Sequence, residues 1–197
     1  MCWNADVSLK SFAVGVSFIL IGIAYGVPLP LLFFCSTIVC MQLVEYIVWS
    51  NYTNKDINAK ASAAAVGLLF LQPIASILTL HSSLQRTVFL AAYVLASMVT
   101  FYSSSPADYS MTRAANGHLA WNWLDENAGA SLVIYFVFLM IPLLFNKEFI
   151  LLGISFVTLF ISLYTYHKEN TWGSMWCWIV NGLVPIAIGS SILTKST

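Results

Sequence analysis

Charged side chains are scarce in this chain of 197 residues: eight are basic, eight are acidic, and the formal net charge is zero. A water-soluble domain needs roughly a quarter of its residues charged to wet its surface, so a soluble globular class does not fit. Disordered, collagen-like and coiled-coil classes fail with it. No two basic residues are adjacent. Nothing here neutralises a run of phosphates by counterion release, and nucleic acid is not expected as a partner. Cysteine is sparse too. Cys2, Cys35, Cys40 and Cys177 offer neither a C-x-x-C pair nor a zinc-knuckle spacing, and they read as small buried apolar residues. The opening Met1-Cys2-Trp3-Asn4-Ala5-Asp6 lacks a basic stretch and a small-residue cleavage site, so the first apolar run reads as retained.

In place of charge the chain has hydrophobic side chains, 59% of the total, and a mean hydropathy of +0.83. A helix needs about 20 mostly apolar residues to cross a bilayer. Seven stretches approach that, two of them short: Ser11 to Tyr25, Leu29 to Trp49, Ala61 to Leu80, Thr87 to Tyr102, Ala128 to Phe145, Phe149 to Tyr166 and Trp172 to Leu193. The expected fold is therefore all-α: a single integral, multi-pass membrane domain over residues 1–197, with seven transmembrane helices and the lipid bilayer as its first partner. The breaks fall at Gly26 with Pro28 and Pro30, at Asn51 to Lys60, His81 to Arg86, Asn146-Lys147-Glu148, and His167-Lys168-Glu169-Asn170. One connection is long. Ser103 to Asn127 carries the aromatic run Leu119-Ala120-Trp121-Asn122-Trp123, which suits a short interfacial helix. Gly22 with Gly26, and Ala63 with Gly67, are small residues spaced to let helices approach closely.

Seven spans put the N-terminus and the connections after spans two, four and six on one face. That face has Lys10, Lys55, Lys60, Arg113 and Lys168 near helix ends, against Arg86, Lys147 and Lys195 on the other. Five against three does not orient the chain. The sequon Asn51-Tyr52-Thr53 lies almost against the membrane and leaves orientation open. Self-association and the identity of the membrane are open as well.

The chain echoes itself at a separation of 112 residues: Pro30-Leu31-Leu32-Phe33 matches Pro142-Leu143-Leu144-Phe145, and Pro73-Ile74-Ala75 matches Pro185-Ile186-Ala187. That register lays spans one to three on spans five to seven in parallel, with span four as the inverting connector. The plan resembles, in architecture, the SWEET and PQ-loop transporters, whose parallel repeats surround a central site. Their proline-glutamine pair is missing here, since Gln72-Pro73 has the reverse order. The opening Met1-Cys2-Trp3, Gln42-Leu43-Val44-Glu45 with Trp49, Gln72-Pro73 and Gly173-Ser174-Met175-Trp176-Cys177-Trp178 are similar to a group of uncharacterised multi-pass proteins of large DNA viruses and some protists. That resemblance implies no activity. It implies only that the Glu45 and Trp176 regions act together.

Glu45 is the one charged residue inside a predicted span. A carboxylate at membrane depth costs several kcal/mol unless paired or neutralised, which makes it a functional candidate. Gln42 and Trp49 share its helical face. All seven tryptophans, Trp3, Trp49, Trp121, Trp123, Trp172, Trp176 and Trp178, lie toward one face, whereas an aromatic belt occupies both. In the last span Ser174, Cys177 and Asn181 form one polar stripe, which should face protein or a water-filled cavity.

These residues suggest a vestibule walled by Trp49, Trp172 and Trp176, closed by the Asn116 to Asn127 loop with His118, and floored by Glu45, Gln42, Cys177 and Asn181, with Gln72 deeper. Aromatic faces beside a carboxylate suit a small cationic or polar solute, or a proton. No cofactor, metal or catalytic residue is expected. The last span holds no lysine for a retinal Schiff base, His81 falls on the face opposite His118 and His167, and no hydrolase motif occurs. Transport predicts broken helices at Pro73 and Pro185 around a hydrated midplane pocket. The alternative, a receptor-like or structural membrane component, predicts straight helices and a dry interior.

Overall fold

The computed structural model describes residues 4–103, 110–124 and 129–196. Met1, Cys2 and Trp3 lie outside them, as do parts of the long connection at 104–109 and 125–128. Within them the chain is all-α apart from one small hairpin: α1 (Ala5–Ala24), α2 (Leu29–Ser50), α3 (Lys55–Ile77), α4 (Ser83–Ser103), β1 (Met111–Arg113), β2 (Leu119–Trp121), α5 (Gly129–Phe145), α6 (Phe149–Tyr166), α7 (Trp172–Asn181) and α8 (Val184–Ser196). Among the described residues six helices are long and apolar enough to cross a membrane, counting α7 and α8 as one run, and α5 is a shorter apolar helix of 17 residues.

The helices begin and end for local reasons. Asn4 caps α1 by accepting from the Val7 amide at 2.9 Å, and Asn54 caps α3 through the Asp56 and Ile57 amides. Both caps start their helices earlier than hydropathy indicates, because polar first turns are stabilised by the cap rather than by lipid. Three helix ends share one device. Val27 N–H reaches Gly22 C=O, Glu148 N–H reaches Leu143 C=O and Thr171 N–H reaches Tyr166 C=O. Each closes a Schellman-type turn around a left-handed residue, Gly26, Lys147 and Asn170 respectively.

The structure departs from the sequence expectations in the long connection and at Pro73, and breaks the last span at Pro185. The long connection carries no interfacial helix in its described part; it folds into the antiparallel β1–β2 hairpin, with Met111 opposite Trp121. The last span is interrupted at Pro185, where the transport reading expects a break, and runs as α7 and α8. Pro185 has no N–H for the Asn181 carbonyl, so α7 stops at Asn181, and Gly182 and Leu183 tighten the end with bonds to Ile179 and Val180. At Pro73, by contrast, α3 runs through the proline unbroken.

The helix α2 occupies the centre, flanked by α1, α3, α7 and α8, while α5 packs on α3, α4 and α6, and α6 packs on α7. Burial follows that order: α2 is the most enclosed span and α4 the least. Gly15 and Gly22 are where α1 meets α2; a Cβ on Gly15 would stand 2.6 Å from Val39, and one on Gly22 2.7 Å from Leu32. The other small residues singled out in the sequence do different things. Gly26 makes a turn, and a Cβ on Gly67 would meet nothing.

The echo of 112 residues places its prolines unlike one another. Pro30 stands in the first turn of α2, whereas Pro142 lies inside α5 near its end.

Candidate functional site

Glu45 and Gln42 sit on the inward face of α2, both with 0% exposure. Glu45 is five residues from the end of α2, a depth of about 8 Å along the helix. Cys177 of α7 lies within electrostatic range of Glu45, and Tyr135 of α5 lies within range of Cys177. Tyr135 in turn donates its hydroxyl to Gln72 Oε1, and Gln72 donates through Nε2 to the Thr37 carbonyl of α2 at 3.3 Å. Four helices thus contribute buried polar side chains to the interior, with Gln72 bound at the level of Thr37, eight residues or about 12 Å along α2 from Glu45. Gln72 is a cross-brace, tying α3 to both α2 and α5.

Asn181, one turn beyond Cys177 on α7, is bound to α1 instead. Its amide donates to the Ser11 carbonyl of α1 at 3.1 Å, and Trp178 Nε1 donates to Ser11 Oγ at 2.9 Å. Both side chains therefore bind α1. Trp172 and Trp176, one turn apart, face the opposite way. Trp176 packs edge-on against Phe136 of α5 at 5.3 Å and donates to the Ser155 carbonyl of α6, while the Trp172 carbonyl accepts from Ser162 at 2.8 Å. The nine candidates are therefore not gathered around one space. Glu45 and Gln42 share one buried face of α2 with Cys177 of α7 within electrostatic range; Gln72 lies further along α2 and joins α3 to α2 and α5, Asn181 joins α7 to α1, and Trp172 and Trp176 join α7 to α5 and α6.

The remaining two belong to the end of the bundle that carries the hairpin. Trp49 is half-buried and stacks on Tyr52. His118 is buried in the hairpin and meets Tyr166 edge-on at 5.5 Å. The hairpin is docked rather than draped. Asn58 of α3 copies a neighbouring strand, giving its Nδ2 to the Met111 carbonyl at 2.9 Å and taking the Met111 amide at 3.1 Å. Asn170 does the same work from the other side, with its Nδ2 on the Trp121 carbonyl and its carbonyl accepting the Trp121 amide. Asn116 adds bonds to Glu169 and Thr171.

Trp121, stacked on Trp123, fills the space above Gly173, where a Cβ would come within 2.9 Å of its ring. The one-sided distribution of indoles follows from this packing. Trp121, Trp172 and Trp176 form the core under and beside the hairpin, each no more than 5% exposed. Trp3 lies outside the described residues.

A cavity of about 50 Å³ lies deeper, between α2, α5, α6 and the α7–α8 break. Phe34, Ile38, Met140, Trp176 and Val184 line it, and its only polar lining side chain besides Cys35 is Ser155; Glu45, Gln42, Gln72 and Asn181 do not line it. Among the described residues no three His, Cys, Asp or Glu side chains gather closely enough to hold a metal ion.

Sequence reasoning passed over Tyr135, Thr37 and Asn58. A phenol in the middle of the apolar run Leu132 to Leu144 was the available signal for Tyr135, since a polar atom at that depth needs a partner. No protein-family model, curated protein or solved structure matches the chain.

Proposed function

We propose that the chain is a multi-pass integral membrane protein that binds a small cationic or polar solute, or takes up a proton, at Glu45. One observation carries this reading: Glu45, the one buried carboxylate among the described residues, is turned wholly inward on the most enclosed helix, at 0% exposure. A carboxylate held there for anchoring alone would be better placed at the membrane surface, because desolvation costs several kcal/mol. Support also comes from the setting. Gln42 shares the buried face of Glu45 on α2, and Cys177 of α7 lies within its electrostatic range, so protic side chains stand near the carboxylate.

The experiment is reconstitution of the full chain in vesicles, with entrapped pyranine reporting proton entry and radiolabelled tetraethylammonium as a cationic solute. Glu45→Gln keeps the shape and removes the charge. It should abolish whichever uptake the unaltered chain shows, and unchanged uptake would remove Glu45 from the site. A second reading, a receptor-like or structural membrane component without transport, is favoured by the small apolar cavity that Glu45 does not line. That reading gains if neither probe enters faster than into empty vesicles. The parallel repeat is no part of either reading.

A further inference from the structure

The cavity beside Trp176 has a cause in the sequence. Across the break at Pro185 the last span changes partners: α7 packs on α6, whereas α8 packs on α1 and α2 and hardly touches α6. A cleft therefore opens between α6 and α8 in the half of the bundle away from the hairpin. Small side chains widen its inner end, Ser155 on α6, Ala187 on α8 and Cys35 on α2, where the rest of the wall is Leu, Ile, Val, Met and aromatic. The mouth is not sealed, since Leu151 of α6 and Leu183 and Ala187 of α8 are only half-buried where they line the space.

Size and lining decide what fits. A water stays in a cavity when it finds about two to four polar partners, and one hydroxyl with one thiol does not supply them. A ring is too large: an apolar cavity of about 150 Å³ takes one benzene, and this one measures about 50 Å³. A slender hydrocarbon chain entering through the mouth is what remains.

Depth agrees with that occupant. Phe34 and Ile38, on the α2 wall, lie five and nine residues from the start of their helix, about 7.5 and 13.5 Å along it. That is the inner half of a leaflet whose hydrocarbon is about 15 Å deep, where the ends of acyl chains lie. At the mouth, four residues from Leu143 and four from Leu151, the α5–α6 turn carries Lys147 and Glu148 at headgroup level, both exposed and of opposite sign.

We propose that this cleft is a lipid site, holding one acyl chain of a zwitterionic phospholipid from the leaflet away from the hairpin. The chain end lies against Trp176, the Lys147 ammonium meets the phosphate and the Glu148 carboxylate meets the cationic end of the headgroup. A gap forfeits the dispersion contacts of its wall, and a chain restores them without moving the helices. The proposal is independent of Glu45, which does not line the cavity.

The test is quenching of indole emission by bromine, with the full chain in vesicles of phosphatidylcholine brominated either near the ester or in the lower half of the chain. The unaltered chain and Ala187→Leu are each compared with and without Trp176→Phe, so that the difference isolates the emission of Trp176. That emission should be lost with low bromines, kept with bromines near the ester, and recovered in Ala187→Leu, which fills the space. Equal loss with and without Ala187→Leu would mean that bromine reaches the ring through the outer surface, and no loss at all would mean an empty cavity; either overturns the site. Should Ala187→Leu fail to fold, Ser155→Leu fills the opposite wall, and should Trp176→Phe fail, recovery of total emission decides. Brominated phosphatidylcholine diluted in plain phosphatidylglycerol should quench more than the reverse mixture, and equal quenching would overturn the zwitterionic headgroup.

Discussion

Lys147 shows how much a single backbone position can cost. It holds φ at 61° between α5 and α6, a left-handed conformation that crowds its Cβ, and no glycine relieves it. For a side chain with a Cβ this conformation costs roughly 1–2 kcal/mol, part of which glycine gives back as extra freedom in the unfolded chain. Lys147→Gly should therefore stabilise the fold by roughly 0.5–1 kcal/mol, with Lys147→Asn between the two, and thermal unfolding in detergent measures it. A fall in the unfolding temperature would mean that the lysine side chain contributes more than its backbone costs. Glu45 was legible at the same scale for the opposite reason. A lone carboxylate in an apolar run stands out by chemistry, and the helical period then names Gln42 as its companion. Asn181 was equally visible as a polar residue, yet its partner was not: Ser11 lies 170 residues away, and only the packing of α7 on α1 brings them together.

Elements divide in the same way. The spans themselves were legible because apolar length fixes them; Asn4 and Asn54 start α1 and α3 earlier by capping, α4 begins at Ser83 instead of Thr87, and α3 ends at Ile77 instead of Leu80. The hairpin was not legible. Its strands are three residues each, too short for an alternating pattern to declare itself, and what orders them is a side chain elsewhere. Asn58 satisfies both backbone groups of Met111 in a place where Met111 is 1% exposed. Asn58→Ala leaves a buried donor and a buried acceptor unmatched and should cost at least about 2 kcal/mol of local stability. The exposed Arg113 next to this contact is a ready reporter. Trypsin cleavage after Arg113 should speed up about thirtyfold in Asn58→Ala, the factor that 2 kcal/mol gives when opening is fast. Asn58→Asp should lie between, since it still accepts from the Met111 amide but no longer donates to the carbonyl. Equal cleavage in all three chains would mean that Asn170 and Asn116 hold the hairpin without Asn58.

At the scale of the whole molecule the interior and the exterior tell different parts of the story. Inside, Glu45 and Gln42 are buried on α2 and Gln72 braces α3 to α2 and α5, and outside, α1, α4 and α6 present Leu20, Leu84, Leu95, Phe156, Phe160 and other large apolar side chains to their surroundings. Soluble monomers rarely expose contiguous apolar patches beyond a few hundred Å², and here such side chains recur around three helices. Apart from Glu45, the ionic groups among the described residues lie toward the ends, where Lys10 pairs with Asp6 and Lys60 with Asp56 near the starts of α1 and α3. An apolar girdle between charged rims is what a bilayer stabilises, at about 25 cal/mol per Å² of surface removed from water. The chain should accordingly remain with the membrane pellet after extraction at alkaline pH, which strips proteins held only by charge, and enter solution only with detergent. Recovery of a monodisperse, folded chain in the alkaline supernatant would contradict the membrane reading, and with it the need for any special account of Glu45. Retention in the pellet together with trypsin-accessible Arg113 from one side only would also fix which compartment the hairpin faces, a point that five basic residues against three leaves undecided.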